Sequence, residues 1–203
     1  ARAAAADVPP EQLVGNPYLW GLGLAVALFL AVLVHELGHA FAARRAGFKP
    51  VVTLHMTGGL THYPTVRKVG RLGEALIALS GPLSGLLLAG ICYVALRVLD
   101  GDVHRIALAG EPVQESATLV SAGFVWAVEL NLFWSAINLL PLLPFDGGRV
   151  LLAIFGERRN VAAHVSLAAG LGLAGLFLVA QQGLPAVVFA AAGVVSYMRI
   201  RRV

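Results

Sequence analysis

The sequence predicts an all-α polytopic membrane protein of about five transmembrane helices, with room for a short β-hairpin between the first two. Three observations carry that prediction. Of 203 residues, 58% are hydrophobic and only 13% charged, with a mean hydropathy of +0.80, more apolar side chain than a soluble domain of this length can hide. Apolar stretches run near 18–43, 72–99, 117–140, 161–180 and 184–198, and the first four reach the ~20 residues that cross a hydrocarbon core. The fifth is shorter and is expected to complete its span by the snorkelling of Arg199. Finally, twelve of the fifteen basic residues lie in the segments after the first, third and fifth stretches. That bias assigns those segments to the cytoplasm and the N-terminus to the outside. The pI near 9.7 then reflects loops beside anionic headgroups, and a nucleic-acid partner is not expected.

Residues 1–17 read as a mobile extracytoplasmic tail. A start at Ala1 reads as a processed or truncated chain whose upstream helix is missing. Residues 18–155 read as the core and 156–203 as a C-terminal helix pair. After the first span, Pro50 and Pro64 bracket segments 51–57 and 60–63, joined at Gly58–Gly59. Val, Thr and Tyr around a Gly-Gly turn fit a β-hairpin, and the spacing leaves an ordinary loop equally open. The second span carries Ser80, Gly81, Ser84 and Gly85, a small-residue face for close helix packing. The acidic segment 100–116 reads as a solvated outside connection. Lone Cys92 forms no intramolecular disulfide.

The chemistry centres on "VHELGHAFAARR" (34–45). On a helix, His35 and His39 project from one face one turn apart, and Glu36 approaches the same place. An HExxH helix supplies two imidazoles to zinc and a carboxylate placed to take a proton from water. Ionisable groups inside a span are costly and rarely idle, which sets this match apart from a chance one in a soluble helix. Along the axis His39 and His35 lie roughly 7 and 13 Å from Arg44, so the site falls within the membrane near its cytoplasmic side.

A catalytic zinc takes three protein ligands and keeps an open position. The best third candidate is Asp146 in "NLLPLLPFDGGR" (138–149), where Pro141 and Pro144 break the third span and Arg149 marks the same membrane side. Irregular backbone is tolerated at that depth where it lines a cavity. Asn131, Ser135 and Asn138 form one polar stripe. Asn138 is read as a hydrogen-bond donor to a substrate carbonyl, and Asn131 as a packing residue. Glu129, His55 and His62 each admit both a functional and a structural reading; His104 and His164 read as incidental.

These segments, "HELGH" (35–39), "GGL" (58–60), "SGPLSG" (80–85) and "NLLPLLPFDGGR" (138–149), resemble in kind and order those of the site-2 protease family of intramembrane zinc metalloproteases. The resemblance implies one zinc ion per chain held by His35, His39 and Asp146, with Glu36 as catalytic acid/base. It implies that Asn138 helps hold the scissile backbone, and that Gly58–Gly59 belong to a re-entrant hairpin able to take up substrate by β-addition. It further implies a partner that is itself a transmembrane segment, cut to release a cytosolic fragment, with the C-terminal pair as a gate. Two departures stand out: Gly85 occupies a position where the family often has Asn, and Phe145 one where it often has Leu. The competing reading is a membrane metal-ion transporter using the same His/Asp site, and a further one a catalytically dead scaffold. The sequence leaves the oligomeric state unknown.

Overall fold

The computed structural model describes residues 17–55, 58–63, 69–99 and 119–202. Among these residues six helices and one hairpin follow in order: α1 (Pro17–Arg45), β1 (Val51–His55), β2 (Gly58–His62), α2 (Arg71–Leu99), α3 (Leu119–Asn138), α4 (Asp146–Phe155), α5 (Arg159–Val179) and α6 (Gly183–Arg202). Among the described residues, five of these, all but α4, are long and apolar enough to cross a membrane. The expected fold class is therefore what is found. The tail to residue 16, the segment 100–118 with His104, and Pro64, Arg67 and Lys68 lie outside the described residues.

Helix α1 has 29 residues, about 43 Å at 1.5 Å per residue. Its outward residues, among them Leu22, Phe29, Leu37 and Phe41, are exposed, as the lipid-facing side of an all-round apolar helix must be. The buried stripe runs Ala27, Ala31, His35, His39 and Ala43, four residues apart, with Val32 and Glu36 beside it. The titratable side chains thus lie on the one face that meets protein.

Three boundaries differ from the sequence reading, each for a physical reason. Gly58 and Gly59 are not the hairpin's turn. They open β2, with Gly58 opposite His55, Gly59 opposite Leu54 and the antiparallel ladder ending at Val51–His62. Residues 56 and 57 between the strands lie outside the described ones. Glycine is needed here for close approach, because a Cβ on Gly59 would overlap the Glu36 side chain. The second difference is α6, which has 20 residues, about 30 Å and enough to span alone. Pro185 is tolerated in its first turn and the arginines continue the helix at its end. The third is α4, a ten-residue helix where an irregular connection was expected. Its Leu151 packs with Ala162, Ala163 and Ile200 of the last two helices, which stabilises a segment too short to be helical alone.

Small residues set the helix contacts. A Cβ on Gly38 would meet the Ser80 carbonyl and the Ser84 side chain, and one on Gly170 would meet Gly193 of α6. Gly85 faces Ser135 and Asn131 of α3. Hydroxyls bind the same seams: Ser84 Oγ donates to the Val34 carbonyl at 2.9 Å and Ser135 Oγ to the Pro82 carbonyl at 3.1 Å. Without a hydrophobic drive between helices in lipid, close backbone approach and such bonds hold the bundle together. Helices α1, α2 and α3 form one packed group, and α5 pairs with α6. The pair joins the proline-broken segment through Leu143 N–H, which donates to Ser196 Oγ at 2.8 Å.

Candidate metal centre

Two elements bring the ligand candidates together. Helix α1 carries His35 and His39 on its buried stripe, and the start of α4 carries Asp146. The α4 backbone sits hard against the chain that precedes it: side chains at Gly147 or Gly148 would overlap the carbonyls of Leu139 and Leu140 or the backbone of Leu142 and Leu143. The Asp-Gly-Gly run thereby lets the helix start fold back into the bundle with Asp146 turned inward.

His35 Nε2 and His39 Nε2 each lie 3.0 Å from Asp146 Oδ2, and 3.2 Å from each other. All three residues are buried, and their donor atoms lie within 4.8 Å of one another. The donor chemistry fits a cation. His39 Nδ1 must donate to the Ile77 carbonyl, 2.7 Å away, so the neutral ring turns a lone pair at Nε2 toward an acceptor oxygen and a second imidazole nitrogen. Among the described residues His35 Nδ1 has no such partner; with the His35 proton on Nδ1, three lone pairs converge in this buried place, an arrangement that a positive charge stabilises. Three ligands at tetrahedral positions 2.0–2.2 Å from one zinc ion would lie about 3.4 Å apart, close to the separations found. The Ile77 carbonyl also gives His39 the outer partner that metal-bound histidines use to fix their ring. A divalent cation would also offset the formal charge of the two carboxylates gathered here, Asp146 and Glu36.

Glu36 is buried beside the cluster, and Thr61 Oγ1 of β2 donates to its Oε2 at 2.6 Å. A Cβ on Gly81 of α2 would fall on the His39 imidazole, so the small-residue face of α2 packs against the metal ligand as well as against helices. Asn138 lies at the end of α3, half-buried, and its Nδ2 donates to the Trp134 carbonyl at 2.9 Å. Among the described residues it makes no hydrogen bond to the cluster. Asn131 is buried and donates to Ala127 O at 2.7 Å. Glu129, His55 and His62 are exposed and stand apart from the three ligand candidates.

Thr61, Tyr63 and Arg149 were not singled out as site residues from sequence. Strand alternation finds Thr61 and Tyr63, because residues 59, 61 and 63 share one face once the hairpin register is known, and Arg149 is found three residues after Asp146 on the same face of α4.

A family model described as Peptidase family M50 matches residues 23–180, the stretch that carries every one of these side chains. The chain belongs to Peptidase family M50. The resemblance to site-2 proteases seen in four sequence segments is thereby borne out. The M50 chain is 28% identical over 162 residues to the zinc metalloprotease MJ0392 of Methanocaldococcus jannaschii, covering 79% of this chain and 42% of that protein. To Rip3 of Mycobacterium tuberculosis it is 35% identical over 169 residues, 81% of this chain and 40% of the relative. It therefore spans about two fifths of the length of these curated relatives. The site-2 protease from Methanocaldococcus jannaschii superposes with a TM-score of 0.58 at 23% identity, over 90% of this chain and 81% of that one. That likeness shows a shared fold.

Proposed function

We propose that this M50 chain is an intramembrane zinc metalloprotease that hydrolyses a peptide bond in or next to a transmembrane segment and releases a cytosolic fragment. The observation that carries the reading is the buried His35–His39–Asp146 convergence with the Glu36 carboxylate held beside it by Thr61. The names of its relatives support zinc as the metal, one ion per chain in this reading.

Zinc bound by His35, His39 and Asp146 would supply Lewis acidity, polarising the scissile carbonyl and making a water acidic enough to lose its proton near neutral pH. Glu36 takes that proton and passes it to the leaving amine. Asn138, whose Nδ2 carries a second hydrogen beside the one given to Trp134 O, orients the scissile carbonyl. A helical substrate hides its carbonyls, so the segment to be cut must first unwind. The hairpin offers its strand edges to such an extended chain, with Gly59 against Glu36 and Gly58 beside the Trp134 ring. The core spans residues 18–155, and the pair α5–α6 in residues 156–203 serves as the gate. The basic bias puts the site near the cytoplasmic side, the C-terminus in the cytoplasm and the chain's N-terminus outside.

A carrier would need polar ligands at successive depths on several spans. The convergence of the ligand candidates on one place supports the protease instead. The test is cleavage of a tagged single-span membrane protein by purified chain in detergent, with wild type, Glu36→Gln and chelator-treated samples in parallel. Chelator-sensitive cleavage, lost in Glu36→Gln while zinc stays bound, is the expected result. Zinc flux into sealed vesicles that persists in Glu36→Gln, with no cleavage, would replace the protease by a carrier.

A further inference from the structure

Strand β2 and the residue after it turn three side positions toward the site. Gly59 packs against Glu36, Thr61 bonds to it, and Tyr63 continues the alternation. Tyr63 does not reach the histidines. Its hydroxyl accepts a hydrogen bond from Arg149 Nη2 at 2.7 Å. The other terminal nitrogen, Arg149 Nη1, lies 3.6 Å from Asp146 Oδ1, the carboxylate oxygen that does not face the histidines. Arg149 follows Asp146 by three residues on α4, so both project from one helix face. The Tyr63 ring is in turn fixed against Phe48 with centroids 5.1 Å apart. Phe48 is buried with Ala43 and Ile77, and the Ile77 carbonyl is the one that holds His39. A closed circuit thus runs from the hairpin through Arg149 to one ligand candidate and through Phe48 and Ile77 to another.

We propose that Tyr63 and Arg149 are positioning residues for the metal centre. Tyr63 pins the guanidinium, and the guanidinium occupies the Oδ1 side of Asp146, so that only Oδ2 is presented to the metal. A carboxylate held to one oxygen leaves coordination space for water and a scissile carbonyl, which a bidentate carboxylate would take up. The circuit also ties the place of the hairpin, where substrate enters, to the tightness of the metal site. The inference rests on Asp146 being a ligand.

The probe is zinc itself, leaving the loaded full chain in detergent for a chromogenic chelator. Tyr63→Phe keeps the ring and its packing and removes one oxygen. It is expected to speed zinc release about tenfold, the lower end of what outer-shell partners of metal ligands contribute. Arg149→Ala is expected to do at least as much, with Arg149→Lys between it and wild type. The double variant Tyr63→Phe/Arg149→Ala should match Arg149→Ala alone, because both substitutions act through one guanidinium. The melting temperature of the zinc-free Tyr63→Phe chain should equal that of the zinc-free wild type. If wild type holds zinc, Asp146→Asn loses it, and Tyr63→Phe and Arg149→Ala release it at the wild-type rate, the positioning role is wrong and the ligand assignment stands. Additive effects in the double variant, or a zinc-free Tyr63→Phe chain that melts lower, also overturn the proposal. A wild type that binds no zinc overturns the ligand assignment and this inference together.

Discussion

A single methyl group on α2 should weaken zinc binding at the proposed site. Gly81 lies one helical turn beyond Ile77, and a Cβ built on it falls onto the His39 imidazole, reaching Nε2 and lying 2.7 Å from Cδ2. The ring has nowhere to retreat. Its Nδ1 is bonded to Ile77 O at 2.7 Å, and its Nε2 faces Asp146 at 3.0 Å and His35 at 3.2 Å. Forcing a methyl into a packed site costs about 1–3 kcal/mol. Borne by the ligand geometry, that is roughly 5- to 140-fold in zinc affinity at about 1.4 kcal/mol per tenfold. The same helix supplies the control. Gly90 has nothing within 4 Å of its would-be Cβ, so Gly90→Ala adds the same methyl and should be neutral or slightly stabilising through helix propensity. Competition with a chelator of known zinc affinity, on both variants and wild type, measures the difference. Equal zinc affinity in Gly81→Ala, Gly90→Ala and wild type would refute the placement of His39 against α2.

Two further outcomes follow from other contacts. Thr61→Val removes the hydroxyl that bonds Glu36 at 2.6 Å and keeps the shape. Hydrogen bonds to charged groups contribute about 1.5–3 kcal/mol, so kcat should fall by up to roughly 10- to 150-fold with zinc content unchanged and activity recovered in Thr61→Ser. Ser196→Ala removes the acceptor for Leu143 N–H at 2.8 Å and the partner of the buried Ser166 hydroxyl at 2.5 Å. Leaving those groups unpaired should cost about 1–3 kcal/mol, read as a lower denaturation midpoint in detergent. Ser166→Ala/Ser196→Ala, which removes both hydroxyls of that pair, should cost less than the sum of the two single changes.

Much of this architecture was legible in the sequence because lipid imposes simple rules. A span must be apolar for about 20 residues, so a helix such as α1 announces itself and a charged group inside it announces a site. His35, His39 and Asp146 could be nominated from an i, i+4 spacing and a charge-bias argument, and the structure brings their donor atoms together. What stayed hidden were features fixed by partners distant in sequence. Gly58 and Gly59 look like a turn by composition, but the smallness of Gly59 serves the approach to Glu36, and Gly58 takes a positive φ beside Trp134. Helix α4 follows two prolines and opens on Asp-Gly-Gly, all poor local signals, and is held by Ala162, Ala163 and Ile200 from helices further along. Thr61, Tyr63 and Arg149 are ordinary hairpin and helix-start residues until the strand register aligns them with the site. Asn138 was legible as polar, yet its Nδ2 donates to its own helix, to Trp134 O, and its role waits on a substrate.

The most direct test of the central claim is the coordination shell of zinc in the purified, metal-loaded wild-type chain, measured by X-ray absorption with the metal content taken on the same sample. One zinc per chain is expected, with nitrogen and oxygen ligands at about 2.0–2.2 Å, two of the scatterers being imidazoles, and one imidazole lost in His39→Ala. A shell containing sulfur at about 2.3 Å, which would put the metal on Cys92 or a methionine, or a chain that retains no zinc, would contradict it.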